Sequence, residues 1–403
     1  MGKSRLWGCL LACVVGLTLL FAAGCGGGSD SAGPADTAPK EDIKIGAIFD
    51  LTGATADVGV PYAEGARAYV ETVNTAGGIN GRTVKLLEID YAYQIPRATE
   101  AYNKLVKQDQ VAAILGWGTG DTDALKGFIA RDKIPYLSGS YSELLLNIDE
   151  SPYNFLVAAS YTGQAKAALK WIKDEWTDTS RPPRVALIYN DSPFGKSHLE
   201  DTKAFGQEIG IDMVGEEAVD LRTLDATPQM LNLKNKKADF AVIQGTSNMT
   251  ATVLKDSKKL GLETRFIGLN WAADEKVVQL AGAAGEGYIG VIPFAFPGDD
   301  VPGMAAIGDW LTKNNKTYAD INQKFVQGWY STMVMLEAVR LAGDEVTGET
   351  IRGGLESMVN FDSGGLAAPV TFTKESHRGT DLVRLAEVQN GKFEYLTDWI
   401  GYK

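Results

Sequence analysis

The chain has 403 residues, 45% of them apolar, and a formal net charge of −12 at neutral pH. That acidity argues against a nucleic-acid partner and against adhesion to an anionic lipid surface. All three cysteines (Cys9, Cys13, Cys25) fall within the first 25 residues, so the remainder has no disulfide, thiolate metal site or cysteine nucleophile.

Lys3 and Arg5 precede an apolar run over residues 6–22, and Ala22-Ala23-Gly24 leads into Cys25. This is the layout of a secretory signal with a small-residue cleavage site. A cysteine directly after the small residues predicts a bacterial lipoprotein, with Cys25 lipidated at the start of the mature chain. Leu11-Ala12-Cys13 is a rival site, but it leaves too short an apolar core before it. A plain N-terminal anchor would need about 20 apolar residues. Residues 26–40 lack any large apolar side chain and read as a flexible tether. No later apolar stretch is long enough to span a bilayer, so the body is expected to be soluble.

From residue 41 onward, strands and helices alternate. Residues 43–49 read as a buried strand, followed by a Gly-rich loop. A helix is predicted near 60–76, with Ala63, Ala66, Tyr69, Val70 and Val73 on one face. Gly77-Gly78 ends it, Asn80-Gly81 marks a turn, and 83–90 is the next strand. Then come a helix near 96–109, a strand at 111–115, a helix at 122–131 and a strand at 134–137. The pattern restarts with strands at 185–189, 211–219, 239–243 and 265–267, separated by helices at 194–209, 227–236 and 248–260. Such alternation implies βαβ units and parallel sheets. The fold class is therefore α/β, with two doubly wound lobes of similar plan.

The last third differs. Residues 288–293 read as a strand. A long helix over 319–342 carries Phe325, Trp329, Met333, Leu336 and Val339 at helical spacing, as core rather than ligand site. Residues 370–373 and 382–388 read as strands, and Asn390-Gly391 turns the latter into a hairpin with 393–396.

Parallel sheets bind ligands beyond the carboxyl ends of their strands. Two loops there stand out, Gly116-Trp117-Gly118-Thr119-Gly120-Asp121-Thr122 and Ser138-Gly139-Ser140-Tyr141-Ser142. Glycines allow close backbone approach, a helix N-terminus favours an anion, and Thr119, Ser140 and Ser142 add hydroxyls. Together these groups suit a carboxylate. A dinucleotide fingerprint fails because its sixth position is Asp121, and no Walker sequence occurs. His198 is expected on a surface helix face and His377 in a surface turn. Neither joins a triad or a metal motif, so no enzyme activity, cofactor or metal is expected.

In this order, the segments IKIGAIFDLTGATADVG, AGGINGR, IPYLS, YNDSPFGKS and EGYIGV resemble type I periplasmic solute-binding proteins. The resemblance is to the Leu/Ile/Val-binding branch that serves ABC transporters. It implies a cleft between two lobes joined by three crossover strands, with residues 41–158 plus 290–360 in the first lobe and 159–289 plus 361–403 in the second. It also implies that Thr119 meets the ligand carboxylate, that Ser140 offers a backbone carbonyl and Ser142 a second hydroxyl. Where amino-acid-binding members place an acid for the ligand ammonium, this chain has Asn270, followed by Trp271. Trp117, Tyr141, Phe194, Thr246 and Trp271 complete the candidate pocket, and Asp191 or Asp274 would supply the missing acid if either faces the cleft.

The resulting expectation is a lipid-anchored, exported, monomeric protein that closes on a small carboxylate-bearing ligand. The ligand would be a branched-chain or other apolar amino acid, or an aromatic or apolar carboxylate. The partners would be ABC permease subunits, with the membrane met only through the lipid. The alternatives are a sensing module that docks on a receptor and, further off, an exported enzyme.

Overall fold

A computed structural model describes residues 41–403, which form one compact unit. The leader, the tether and Cys25 lie outside the described residues.

The first sheet is wholly parallel. Its strands are β1 (Ile43–Phe49), β2 (Val84–Asp90), β3 (Ala113–Gly116), β4 (Tyr136–Ser138) and β5 (Asn154–Phe155), in the order β2-β1-β3-β4-β5. The helices between them are α1 (Ala56–Thr75), α2 (Ile95–Asn103) and α3 (Thr119–Asp132). The helix expected over 96–109 winds as α-helix only to Asn103 and continues as π-helix over Lys104–Asp109.

A helix that the sequence reading did not anticipate, α4 (Tyr161–Glu175), leads into the second lobe. There the parallel strands β6 (Arg184–Tyr189), β7 (Asp212–Ala218), β8 (Phe240–Gln244), β9 (Arg265–Gly268) and β10 (Ile289–Ile292) run in the order β7-β6-β8-β9-β10. Helices α5 (Pro193–Lys196), α6 (Leu199–Glu208), α7 (Thr227–Lys236), α8 (Ser247–Lys259) and α9 (Glu275–Ala281) connect them. The helix expected over 194–209 is thus broken at Ser197 and His198. After β10 come α10 (Met304–Lys313), α11 (Gln323–Leu341) and α12 (Gly348–Glu356). The antiparallel hairpin β11 (Arg384–Gln389) and β12 (Lys392–Tyr395) then extends the second sheet.

Each lobe repeats one winding scheme. The strand order reverses beside β1 in the first lobe and beside β6 in the second, so each has a switch point at the carboxyl ends of its strands. Where the chain passes between lobes, its segments pair by single bridges, Leu156 with Arg378 and Phe294 with Ala367. The expected strand at 370–373 forms only isolated bridges. Val370 bridges Phe361 and Thr373 bridges Ser376, without a ladder. Its alternation arises because Val370 and Phe372 bury their side chains, while the backbone N–H groups of 370–373 bond to several separate segments (Phe361, Gly379, Met358 and Ser376) rather than to one partner strand.

Helices α1 and α11 cross backbone to backbone. A side chain at Gly65 would run into the Phe325 carbonyl, and one at Gly328 into the Tyr62 carbonyl. Phe325, Trp329, Leu336 and Val339 of α11 are buried in the core, and Met333 is half-buried.

Both histidines differ from expectation, for both are buried. His198 caps α6 at the helix break, its Nδ1 is 2.9 Å from Thr202 Oγ1, and burial pushes its pKa down to about 3. His377 stacks on Phe155 at 3.6 Å, with Nε2 3.2 Å from Glu356.

Candidate ligand-binding site

The loops at the two switch points meet. In the first lobe, the loop after β1 winds around buried Asp50, which accepts from the Gly53 N–H, the Thr55 N–H and the Thr55 hydroxyl. The Thr55 oxygen in turn accepts the indole N–H of Trp117 at 2.8 Å, which fixes that ring at the end of β3. Asp90, ending β2, accepts from Leu51 N–H and Ala92 N–H and from the Thr52 hydroxyl, tying the β1 and β2 loops together. Beyond it, Ala92 and Tyr93 both take left-handed backbone (φ 52° and 57°), a strained arrangement for tyrosine of the kind that collects at binding sites.

The two loops singled out from sequence are neighbours, because β3 and β4 pair in parallel. They are laced by hydroxyls. Thr119 Oγ1 is 2.7 Å from Ser140 Oγ, Thr122 Oγ1 is 2.8 Å from Ser138 Oγ, and Ser138 Oγ donates to the Trp117 carbonyl. Thr119 opens α3, whose first N–H groups have no partner within the helix. Asp121 turns back on this helix start. It accepts from Gly118 N–H and the Tyr91 hydroxyl, and burial pushes its pKa up to about 7.

From the second lobe come Phe194 in α5, Thr246 before α8, and Trp271 after β9. Trp271 packs 4.9 Å from Trp117 and donates its indole N–H to Gly139 O (3.1 Å) and Tyr161 Oη (3.0 Å). Between these groups lies a cavity of about 20 Å³, room for about one water. Trp117, Thr119, Phe194, Thr246 and Trp271 line it. Outside it, Tyr93 borders a vestibule of about 420 Å³ shared with Asp191 and Arg222. A larger hollow of about 790 Å³ opens at the amino ends of β6, β8 and β9, the opposite edge of that sheet, and holds none of the candidate residues.

Other candidates lie one layer back. Ser140 does not line the cavity and touches a lining residue through its hydroxyl contact with Thr119. Tyr141 stands behind Trp271, ring parallel at 6.4 Å, with its hydroxyl accepting from Gln327. Ser142 Oγ is buried without a partner, and so are both amide atoms of Asn270. Neither acid offered in place of Asn270 lines the cavity. Asp191 has a 72% exposed side chain and pairs with Lys196. Asp274 is buried, accepting from Ser247, Asn322 and the Val277 N–H as it caps α9.

Four further lining residues went unread in the sequence, namely Thr55, Val58, Tyr93 and Tyr161. The strand-end rule that marks the β3 and β4 loops also marks those after β1 and β2, which holds for Thr55, Val58 and Tyr93. Tyr161 carried no such signal because it opens the unanticipated α4.

Behind Trp271, buried Lys324 of α11 donates to Asn270 O (2.5 Å), Ala273 O (3.0 Å) and Gln323 Oε1 (2.9 Å). Burial lowers its pKa to about 8 despite nearby Asp274 and Glu275. Glu275 is raised to about 7 by its own burial and by Asp274.

Residues 42–392 match the family of periplasmic binding proteins, and the chain belongs to that family. A leucine-, isoleucine-, valine-, threonine- and alanine-binding protein of Pseudomonas aeruginosa is 26% identical over 307 residues, covering 75% of this chain and 79% of that one. A branched-chain amino acid ABC transporter structure from Thermus thermophilus with bound valine superposes with a TM-score of 0.85 at 25% identity, covering 90% of this chain and 97% of that one. An ABC transporter substrate-binding protein from Aeropyrum pernix superposes with a TM-score of 0.83 at 28% identity, covering 89% and 96%. These relatives are solute-binding proteins, not enzymes. Among the described residues, no helix is long and apolar enough to cross a membrane.

Proposed function

We propose that this protein captures a small carboxylate-bearing ligand between its lobes and delivers it to an ABC importer. The observation that carries this reading is the meeting of two switch points across an aromatic-walled cavity. One wall of it offers the Thr119 hydroxyl and the start of α3. Such clefts, mostly apolar with a few placed polar groups, are the usual form of small-molecule sites. The α3 N-terminus favours the carboxylate, and the second lobe covers the apolar part by rigid-body closure. The closed form is favoured by the ligand's differential affinity for the two states, and permease subunits would recognise that form.

A thermal-shift screen on protein freed of carried-over ligand tests this. A ligand at 1,000 times its Kd stabilises by about 4 kcal/mol. Thr119→Val should abolish the response to carboxylates without altering the far-UV circular dichroism. Unchanged affinity would remove the α3 loop from the site. The small-residue run into Cys25 supports a lipid-tethered version of this role, and labelled palmitate incorporation that is lost in Cys25→Ala would establish it.

A further inference from the structure

The cavity chemistry allows a sharper statement, which rests on the carboxylate reading above. We propose that the cleft selects a carboxylate without an amine, an apolar or aromatic monocarboxylate, over the matching α-amino acid. An amino acid brings a buried ammonium, and a buried cation without an opposing charge is among the costliest arrangements a site can hold. The walls supply aromatic faces and threonine hydroxyls, and no acidic side chain lines the cavity.

The surrounding carboxylates are committed elsewhere. Asp50 is taken by Gly53 and Thr55, Asp121 by Tyr91 and Gly118. Asp274 is taken by Ser247, Val277 and Asn322, and Asp191 points to solvent beside Lys196. Asp57 keeps one oxygen without a partner. Its other oxygen accepts the Asn248 N–H at the start of α8, while Lys276 donates to the Asp57 backbone carbonyl rather than to the carboxylate. Burial raises the Asp57 pKa, which disfavours its charged form, and the side chain does not line the cavity.

What remains unmade is neutral. Asn270 is fully buried with both amide atoms unpartnered, and buried amides leave hydrogen bonds unmade only at a cost. Asn270 stands one layer behind the cavity wall, next to Trp271, and a neutral amide there adds no negative charge to offset an ammonium. Gly139 O, shared by Trp271 and Tyr161, is likewise a neutral acceptor.

The test is calorimetry on the ligand-stripped protein with matched pairs. Leucine is compared with 4-methylpentanoate and phenylalanine with 3-phenylpropionate, and benzoate is added. The amine-free member should bind at least about 100-fold tighter. Equal or tighter binding of the amino acids overturns this inference and leaves the carboxylate reading standing. Silence from both members of every pair removes the carboxylate reading and this inference with it. Asn270→Asp should narrow the ratio by strengthening amino acids and weakening the plain acids. Asp57→Asn should leave the ratio unchanged, and loss of amino-acid binding alone in that variant would identify Asp57 as an ammonium partner and overturn the inference.

Discussion

Replacing Trp271 by phenylalanine tests how the cleft admits its ligand. The cavity holds about 20 Å³, whereas a cavity that takes a benzene-sized guest measures about 150 Å³. A ligand of that size enters only when a wall withdraws. Among the second-lobe groups that wall the cavity, the Trp271 indole is held by hydrogen bonds to Gly139 O and Tyr161 Oη. Those contacts therefore compete with the ligand. Phenylalanine keeps an aromatic face and deletes the N–H, removing a cross-cleft hydrogen bond worth about 1 kcal/mol net. That corresponds to about a fivefold gain in ligand affinity, because the open, competent state no longer has to break the bond. The ligand-free protein should lose about the same free energy from its denaturant stability. Calorimetry with the tightest carboxylate of the matched panel, run beside urea unfolding without ligand, reads both quantities. Weaker binding in Trp271→Phe would refute the competition and make Trp271 a direct ligand contact instead.

Two further outcomes are expected. His198 stays neutral in the fold down to about pH 3, whereas an unfolded imidazole protonates near 6.5. Its contribution is intact above pH 6.5 and is lost as pH falls, by about 3 kcal/mol at pH 4.5. Wild type should therefore lose more stability than His198→Gln between pH 7 and 4.5, and parallel curves would show that the imidazole charges within the fold. Gly328→Ala would press a methyl against the Tyr62 carbonyl and should cost about 1–3 kcal/mol in urea unfolding. An unchanged midpoint would mean that α1 and α11 separate easily.

The lobes and the two first-lobe loops were legible in the sequence for one physical reason. Strand ends in a parallel sheet gather at one edge, and Gly, Ser and Thr there leave backbone and hydroxyl groups free. The same logic covers Thr55 and Tyr93, but their loops mix these residues with ordinary turn chemistry and gave no distinct signal. Tyr161 depends on the path of α4 between lobes, which no local pattern encodes. His198 misled because the 194–209 stretch has helical periodicity, while the break at Ser197 and His198 turns the imidazole inward. His377 is buried by the pairing of distant segments at Leu156 and Arg378, a tertiary event invisible to spacing. Neither Asp191 nor Asp274 lines the cavity, since the first is exposed beside Lys196 and the second is drawn into the α9 cap by Ser247, Asn322 and the Val277 N–H.

The crossing of α1 over α11 divides the evolutionary labour of the site. Thr55 and Val58 lie at the start of one helix, and Gln327, which holds Tyr141, belongs to the other. With no side chain between them at Gly65 and Gly328, that half of the pocket cannot be reshaped by small core substitutions without disturbing the lobe. The segment bearing Asn270 and Trp271 takes instead two hydrogen bonds from one lysine, Lys324, at Asn270 O and Ala273 O. Descendants of this chain could therefore change the Trp271 side of the cavity while inheriting the loops after β3 and β4 intact.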